Sequence, residues 1–257
     1  MSDGPVSTSV DLDETWRVLA HVHGGYLLAT MVETALRQAD PARHPHPVAT
    51  AATYSRPARP GPATVDTYLL KTGRTVATYR VVARQNGQDC AQAFVTAGRL
   101  PEPGEQPHWI SPLASPPPIP PVADCVPLAS PHGTIPGVST HVEQRLAPET
   151  ATWTTTSGAG EADIRGWARM IDNWDPVLAQ FILADAPPPV TFDLGITGWV
   201  PTLSLHVLLR QVPMPGWHRF RHHALLLSGG MLDEDCALWA EDGSIVTQAR
   251  QLATYRT

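Results

Sequence analysis

The stretch His21–Leu36, HVHGGYLLATMVETAL, sets a histidine and two glycines ahead of an apolar run in which Leu28, Met31, Val32, Ala35 and Leu36 share one helical face. Glycine costs a helix about 1 kcal/mol relative to alanine, so Gly24 and Gly25 at the start of a core-facing helix need a reason. Close packing of the helix start against a neighbour demands residues without a Cβ, and so does the approach of a ligand to free helix amides. Asp175-Pro176 has the form of an N-cap followed by proline at the first helical position, with Asp172 and Asn173 just before it. Asp185, ahead of three prolines, reads as a polar helix end facing solvent. Arg219, Arg221 and His223 fall on one face of a strand, where a charged outer face is the default. His44 and His46 flank a proline and make a poor metal site by themselves. No GxSxG elbow, HExxH or Walker loop occurs, so serine-hydrolase, metalloprotease and nucleotide-binding readings have no support.

Charged residues are 16% of the 257, and the net charge is -6, so there is no basic field to hold nucleic acid or an anionic membrane surface. A small neutral or anionic ligand stays compatible. Cys90, Cys125 and Cys236 are far apart and form no CxxC, which argues against a disulfide framework or thiolate zinc site and for a cytosolic, cytoplasmic protein. The N-terminus lacks a charged-then-apolar leader, and no apolar run approaches the roughly 18 residues of a membrane span.

These residues are positioned by elements that occur twice. Proline crowds Pro101 to Pro136 (PEPGEQPHW, SPPPIPP, PLASPHGTIP), which excludes helix and central strand there and predicts a connector. The chain divides into 1–100, a linker 101–136, and 137–257. In the first part a helix over Gly24–Gln38 precedes RPARPG, a strand, a turn at KTGR, a strand and a turn at Asn86-Gly87. In the second part the apolar stretch Val177–Ala184 precedes RQVPMPG, a strand, a turn at SGG, a strand and a turn at Asp242-Gly243. Gly73 to Gly87 and Gly229 to Gly243 are each 14 positions apart. Asn-Gly and Asp-Gly suit two-residue hairpin turns. A further strand is expected before each helix, at Trp16–Ala20 and at Gly137–Ala147 plus Ile164–Met170. A lone, broadly apolar helix beside an antiparallel meander is wrapped by it. The fold class is α+β, two tandem hotdog units.

With HVHGGYL at the first helix, RPARPG before a strand, Gln85-Asn86-Gly87 in the next hairpin and EDGSIVTQARQLA at the close, the chain resembles the type II, double-hotdog acyl-CoA thioesterases over nearly its whole length outside the linker. The resemblance implies hydrolysis of an acyl-CoA, or a related acyl-pantetheine thioester, to acid and thiol in lipid metabolism. It implies no cofactor or metal, and it is compatible with a homodimer of double hotdogs. In that family an aspartate, a threonine or serine, and a glutamine of the second hotdog hold the attacking water, and the backbone N–H at the glycine pair holds the thioester oxygen. Carried over, the glutamine is Gln251, whose amide can orient water without titrating. Ser204 falls at the acid and Leu225 at the threonine, with Thr202 a second hydroxyl nearby. His23, Gly24, Gly25 and Tyr26 become the oxyanion and substrate-binding set, since a helix N-terminus without Cβ atoms offers amides and a positive dipole end to a developing oxyanion. Tyr26, Leu27, Phe94 and Trp199 suit tunnel walls for an apolar acyl group. Val95 stands where Gln251 would repeat in the first half.

Three alternatives follow from the missing carboxylate, because general-base help is worth roughly 10²–10⁴-fold. The chain is a slow hydrolase, recruits another acid, or is a non-catalytic acyl-thioester binding protein with a degenerate site. A hotdog hydratase would want an Asp and His paired at a helix start, and neither half shows such a pair along the chain.

Overall fold

The computed structural model describes residues 4–128, 137–154 and 160–255. Residues 129–136 of the proline-rich segment lie outside the described residues. The first half contains β1 (Val6–Leu12), β2 (Arg17–Val18), β3 (His21–Val22), α1 (Gly24–Leu36), β4 (His46–Tyr54), β5 (Gly61–Thr72), β6 (Ala77–Gln85) and β7 (Gln88–Gly98). The second contains β8 (Val126–Pro127), β9 (Val142–Leu146), β10 (Asp163–Met170), α2 (Pro176–Asp185), β11 (Thr202–Leu209), β12 (His218–His223), β13 (Leu227–Ser228), β14 (Met231–Trp239) and β15 (Ile245–Thr254).

One antiparallel sheet runs in the order β1-β5-β6-β7-β4-β11-β15-β14-β12-β10-β9-β8, with β13 paired to β14. The first five strands, β1-β5-β6-β7-β4, recur in mirrored order as β11-β15-β14-β12-β10, so each half repeats strand, helix, then four strands. The halves join at β4 and β11, where Ala52 faces Leu205 and Thr50 faces Val207 across a buried ladder. This is a double hotdog, and the sheet wraps both helices.

The strand before α1 is β1 and not Trp16–Ala20. Glu14–Trp16 is a 3-10 turn capped by Asp13, and Arg17–Val18 pairs only with His21–Val22. Asn86 and Gly87 both take positive φ (52° and 73°) and close a two-residue hairpin between Gln85 and Gln88. At Asp242-Gly243 only the glycine does (φ 86°). There the Gly243 N–H donates to the Ala240 carbonyl and the Asp242 carboxylate accepts from the Ser244 N–H, and the hairpin is wider than a two-residue turn. The proline-rich segment lies on the second half, where the Trp239 and Trp167 indoles donate to the carbonyls of Ala114 and Pro120.

Leu28, Met31, Val32 and Ala35 are fully buried against β4–β7. Val177 to Ala184 are buried on every side, the signature of a central helix. The two helices pack with the start of α1 against the end of α2: a Cβ added to Gly25 would lie 2.4 Å from the Phe181 carbonyl oxygen and 2.8 Å from Asp185 Cβ. A backbone oxygen cannot swing aside as a side chain can. Gly25→Ala is therefore expected to lower stability by about 1–3 kcal/mol, the range for forced overpacking. Gly24→Ala, whose nearest neighbour is the Asp185 carboxylate at 3.0 Å, should cost less. Urea denaturation of both variants checks the order.

Candidate active site

Four amides at the start of α1 lack intrahelical acceptors. The His23 N–H donates to the Trp16 carbonyl at 2.9 Å, the Gly25 N–H to Asp185 Oδ2 at 2.6 Å and the Tyr26 N–H to His23 Nδ1 at 3.3 Å, while the first intrahelical bond runs from the Leu27 N–H to the His23 carbonyl at 3.0 Å. That leaves the Gly24 N–H without an acceptor among the described residues. Because His23 Nδ1 accepts, its hydrogen sits on Nε2, which faces the Asp185 carbonyl at 3.0 Å and Asp185 Oδ2 at 3.3 Å. The Tyr54 hydroxyl donates to the Gly24 carbonyl at 3.0 Å.

Asp185 is thus not the solvent-facing helix end that its position before three prolines suggests; its side chain is 8% exposed. It also forms with His23 the histidine–carboxylate pair that neither half shows along the chain. Burial pushes the Asp185 carboxyl above the usual carboxylate range, against the pull of His23, the Gly25 amide and His222, and Glu234 adds to the rise.

A second polar cluster comes from β11, β12, β14 and β15. In β14, Leu232, Glu234, Cys236 and Leu238 face inward, and in β15, Thr247, Ala249 and Ala253 do so on the face that carries Gln251. Register places Gln251 opposite Glu234 on one side and Leu205 on the other. The Gln251 amide donates to Glu234 Oε2, and the Thr202 hydroxyl donates to Gln251 Oε1 at 2.9 Å. Glu234 Oε1 accepts from the Val190 N–H at 2.9 Å and lies 3.3 Å from His222 Nε2. Burial alone would push His222 down, but Glu234 and Cys236 beside it bring it up to about 10. Burial likewise opposes ionisation of Glu234, yet His222, the Val190 amide and Gln251 hold its carboxyl below the usual value.

Both clusters open on one cavity of about 1070 Å³. Its walls carry His23, Gly24 and Asp185 from the helix ends, Thr202, Glu234 and Gln251 from the sheet, and apolar groups such as Leu27, Phe192 and Trp199. Other expected positions fall elsewhere. Ser204 pairs with exposed Thr53 and Leu252 on the outer face, after an irregularity between Thr202 and Ser204, and does not line the cavity. Tyr26 is buried in a stack on Trp16, its hydroxyl accepting from the Asp13 N–H. Leu225 is 73% exposed, and Phe94 also faces outward. Asp175 Oδ1 caps α2 through the Val177 and Leu178 amides, both at 2.9 Å, while Asp172 pairs with His141. Chain spacing had not pointed to Glu234 or His222.

The raised His222 makes a prediction about stability. Its contribution is full below the ordinary imidazole value of 6.5, where both folded and unfolded chains hold the proton, and it is lost as pH rises through about 10. Glu234, held low, contributes fully above its ordinary 4.5. The stability of wild type relative to the double variant His222→Gln/Glu234→Gln should therefore fall between pH 7 and 9 by up to about 1.4 kcal/mol per pH unit. Denaturation at several pH values measures it, and a difference independent of pH contradicts the pairing.

Comparison with known proteins agrees with this architecture. Residues 12–98 match the acyl-CoA thioesterase N-terminal domain model and residues 122–255 the acyl-CoA thioesterase C-terminal domain model. An uncharacterised protein of Mycobacterium tuberculosis is 29% identical over 95% of this chain and 89% of its own. Among solved structures, one assigned as a thioesterase II of Thermobifida fusca superposes with a TM-score of 0.86 at 28% identity, covering 98% of this chain and 92% of that one. A hot dog fold protein from Alicyclobacillus acidocaldarius follows at 0.80 and 18% identity, covering 98% and 93%. By fold, repeat and matched domains over most of its length, the chain belongs to the acyl-CoA thioesterase family.

Proposed function

We propose that the chain hydrolyses an acyl thioester, acyl-CoA or acyl-pantetheine, to a free acid and a thiol. The observation that carries this reading is the fixed orientation of Gln251, clamped between the Thr202 hydroxyl and the Glu234 carboxylate, on the wall of the cavity that also holds the free Gly24 amide. Membership of the acyl-CoA thioesterase family supports the substrate class, and the apolar walls suit the acyl chain.

In this reading the thioester oxygen takes the Gly24 N–H at the positive end of α1, where developing negative charge is stabilised. Water sits on the remaining amide hydrogen or lone pair of Gln251. Glu234 positions Gln251 and does not take the proton: both its oxygens are occupied, and a carboxyl held below its ordinary value is a weak base. Three buried, free cysteines suit a reducing cytoplasm. Hydratase chemistry gains no support from the His23–Asp185 pair. A histidine whose Nδ1 is the acceptor at the helix start carries its hydrogen on Nε2 and cannot abstract a Cα proton there.

Thiol release from a panel of acyl-CoAs of different chain length tests the proposal. Gln251→Ala should lower kcat about 10²-fold, the scale for losing the orientation of a reactant, with KM little changed. Binding without turnover by the wild-type chain would instead favour the non-catalytic binding protein.

A further inference from the structure

The outward face of an antiparallel sheet normally carries polar side chains, yet on the outer face of β10, β12 and β14 register sets Trp167, Arg219 and Trp239 side by side. Both indoles are nearly covered, at 6% and 4% exposed. What lies on them is the proline-rich segment. We propose that this face is a recognition groove for a polyproline II segment, filled by the chain's own Ser115–Pro121.

Ser115 (φ −68°, ψ 142°) and Pro121 (φ −52°, ψ 150°) bound the segment with angles close to polyproline II. Burial along it repeats every three residues, the period of that helix: Ser115, Pro118 and Pro121 are exposed, whereas Pro116, Pro117, Ile119 and Pro120 are half-buried. Hydrogen bonding is complementary as well. An indole can only donate, and a proline offers only a carbonyl. The Trp239 Nε1–H donates to the Ala114 carbonyl at 2.6 Å and the Trp167 Nε1–H to the Pro120 carbonyl at 2.8 Å, one at each end of the segment. Between the two indoles the Arg219 guanidinium lies over the Trp167 ring at 4.9 Å. Pro116 rests by the Asp242-Gly243 turn, where a Cβ on Gly243 would be 3.6 Å from Arg219 Nη1 and 3.8 Å from the Pro116 ring. Aromatic walls facing a preformed, low-entropy helix are the means by which separate proteins bind proline-rich peptides.

Hydrogen exchange of the indole N–H groups, followed by NMR on the full chain, tests this. With the groove filled, Trp167 and Trp239 should exchange at least about tenfold more slowly than Trp109, which is 77% exposed in the same proline-rich region. Pro117→Ala and Pro120→Ala should speed that exchange about tenfold beyond Pro118→Ala, because all three lose the same chain stiffness and only the first two lose partly buried ring methylenes. A synthetic peptide of residues 112–122, at the millimolar concentration that a tether supplies, should restore slow exchange to the Pro117→Ala/Pro120→Ala double variant. The same peptide with alanine at both positions should not. Exchange in wild type as fast as at Trp109 overturns the inference, and so does equal acceleration by all three substitutions. Failure of the native peptide to slow exchange also overturns it, leaving a linker held by its covalent ends alone.

Discussion

The arrangement depends on one contact between the halves, the carboxylate at the end of α2 set against the first amides of α1. It accounts for both glycines. Gly25 has no room for a Cβ, because its amide must reach Asp185 while the Phe181 carbonyl passes alongside, and Gly24 has little more. A carboxylate at the C-terminus of its own helix is poorly placed for that helix dipole, but here its charge lies at the N-terminus of the neighbour, where it is favoured. The two readings that the glycine pair allows, tight packing and access to amides, are consequently both realised, one at each residue. Gly25 is spent on packing, and Gly24 keeps a free N–H beside the cavity.

The cavity places two carboxylates within electrostatic reach of each other, and their surroundings drive them in opposite directions. Glu234 is surrounded by donors and held ionised by His222. Asp185 has one anchored oxygen and meets mostly the cost of desolvation. Environments that separate two acids in this way keep one as a fixed negative charge and bring the other closer to its neutral form. The buried His222–Glu234 pair is expensive to remove from water, and what it secures is a single orientation for the Gln251 amide, with its nitrogen toward Glu234 and its oxygen toward Thr202.

Much of the fold was legible because it is written twice. The helices, the meanders and the Asn86-Gly87 turn all carry local signals. β1 does not: VSTSVDL is an edge strand of small polar residues with only Leu12 deeply buried, so the aromatic Trp16 nearby looked more like a strand. Ser204 shows how counting fails at an irregularity, since one residue of slip between Thr202 and Ser204 turns a side chain to the opposite face. Asp185 was hidden for a different reason. Its partner is 160 positions away, and α2 is apolar on all sides, so periodicity could not say which way its last residue faces. Glu234 was accessible: it interrupts the inward row Leu232-Cys236-Leu238, and a charged residue on an apolar face is a signal to follow, whereas His222 shares its inward row with a second histidine, His218, as well as Phe220.

The repeat also explains why the second helix start does not make a second site of the same kind. Where α1 opens with His23, Gly24 and Gly25, α2 opens with Asp175 and Pro176. Proline has no N–H, and Asp175 Oδ1 takes the next two amides, of Val177 and Leu178. The donors that could receive a carbonyl oxygen are thus removed or already paired. On the sheet, Val95 is fully buried at the place where Gln251 would recur, so that position offers no amide side chain. The space beside the start of α2 is correspondingly small, about 70 Å³ against about 1070 Å³ at α1. Duplication supplied two equivalent helix starts; one became a well-capped element of the core, and its far end, carrying Asp185, now serves the other.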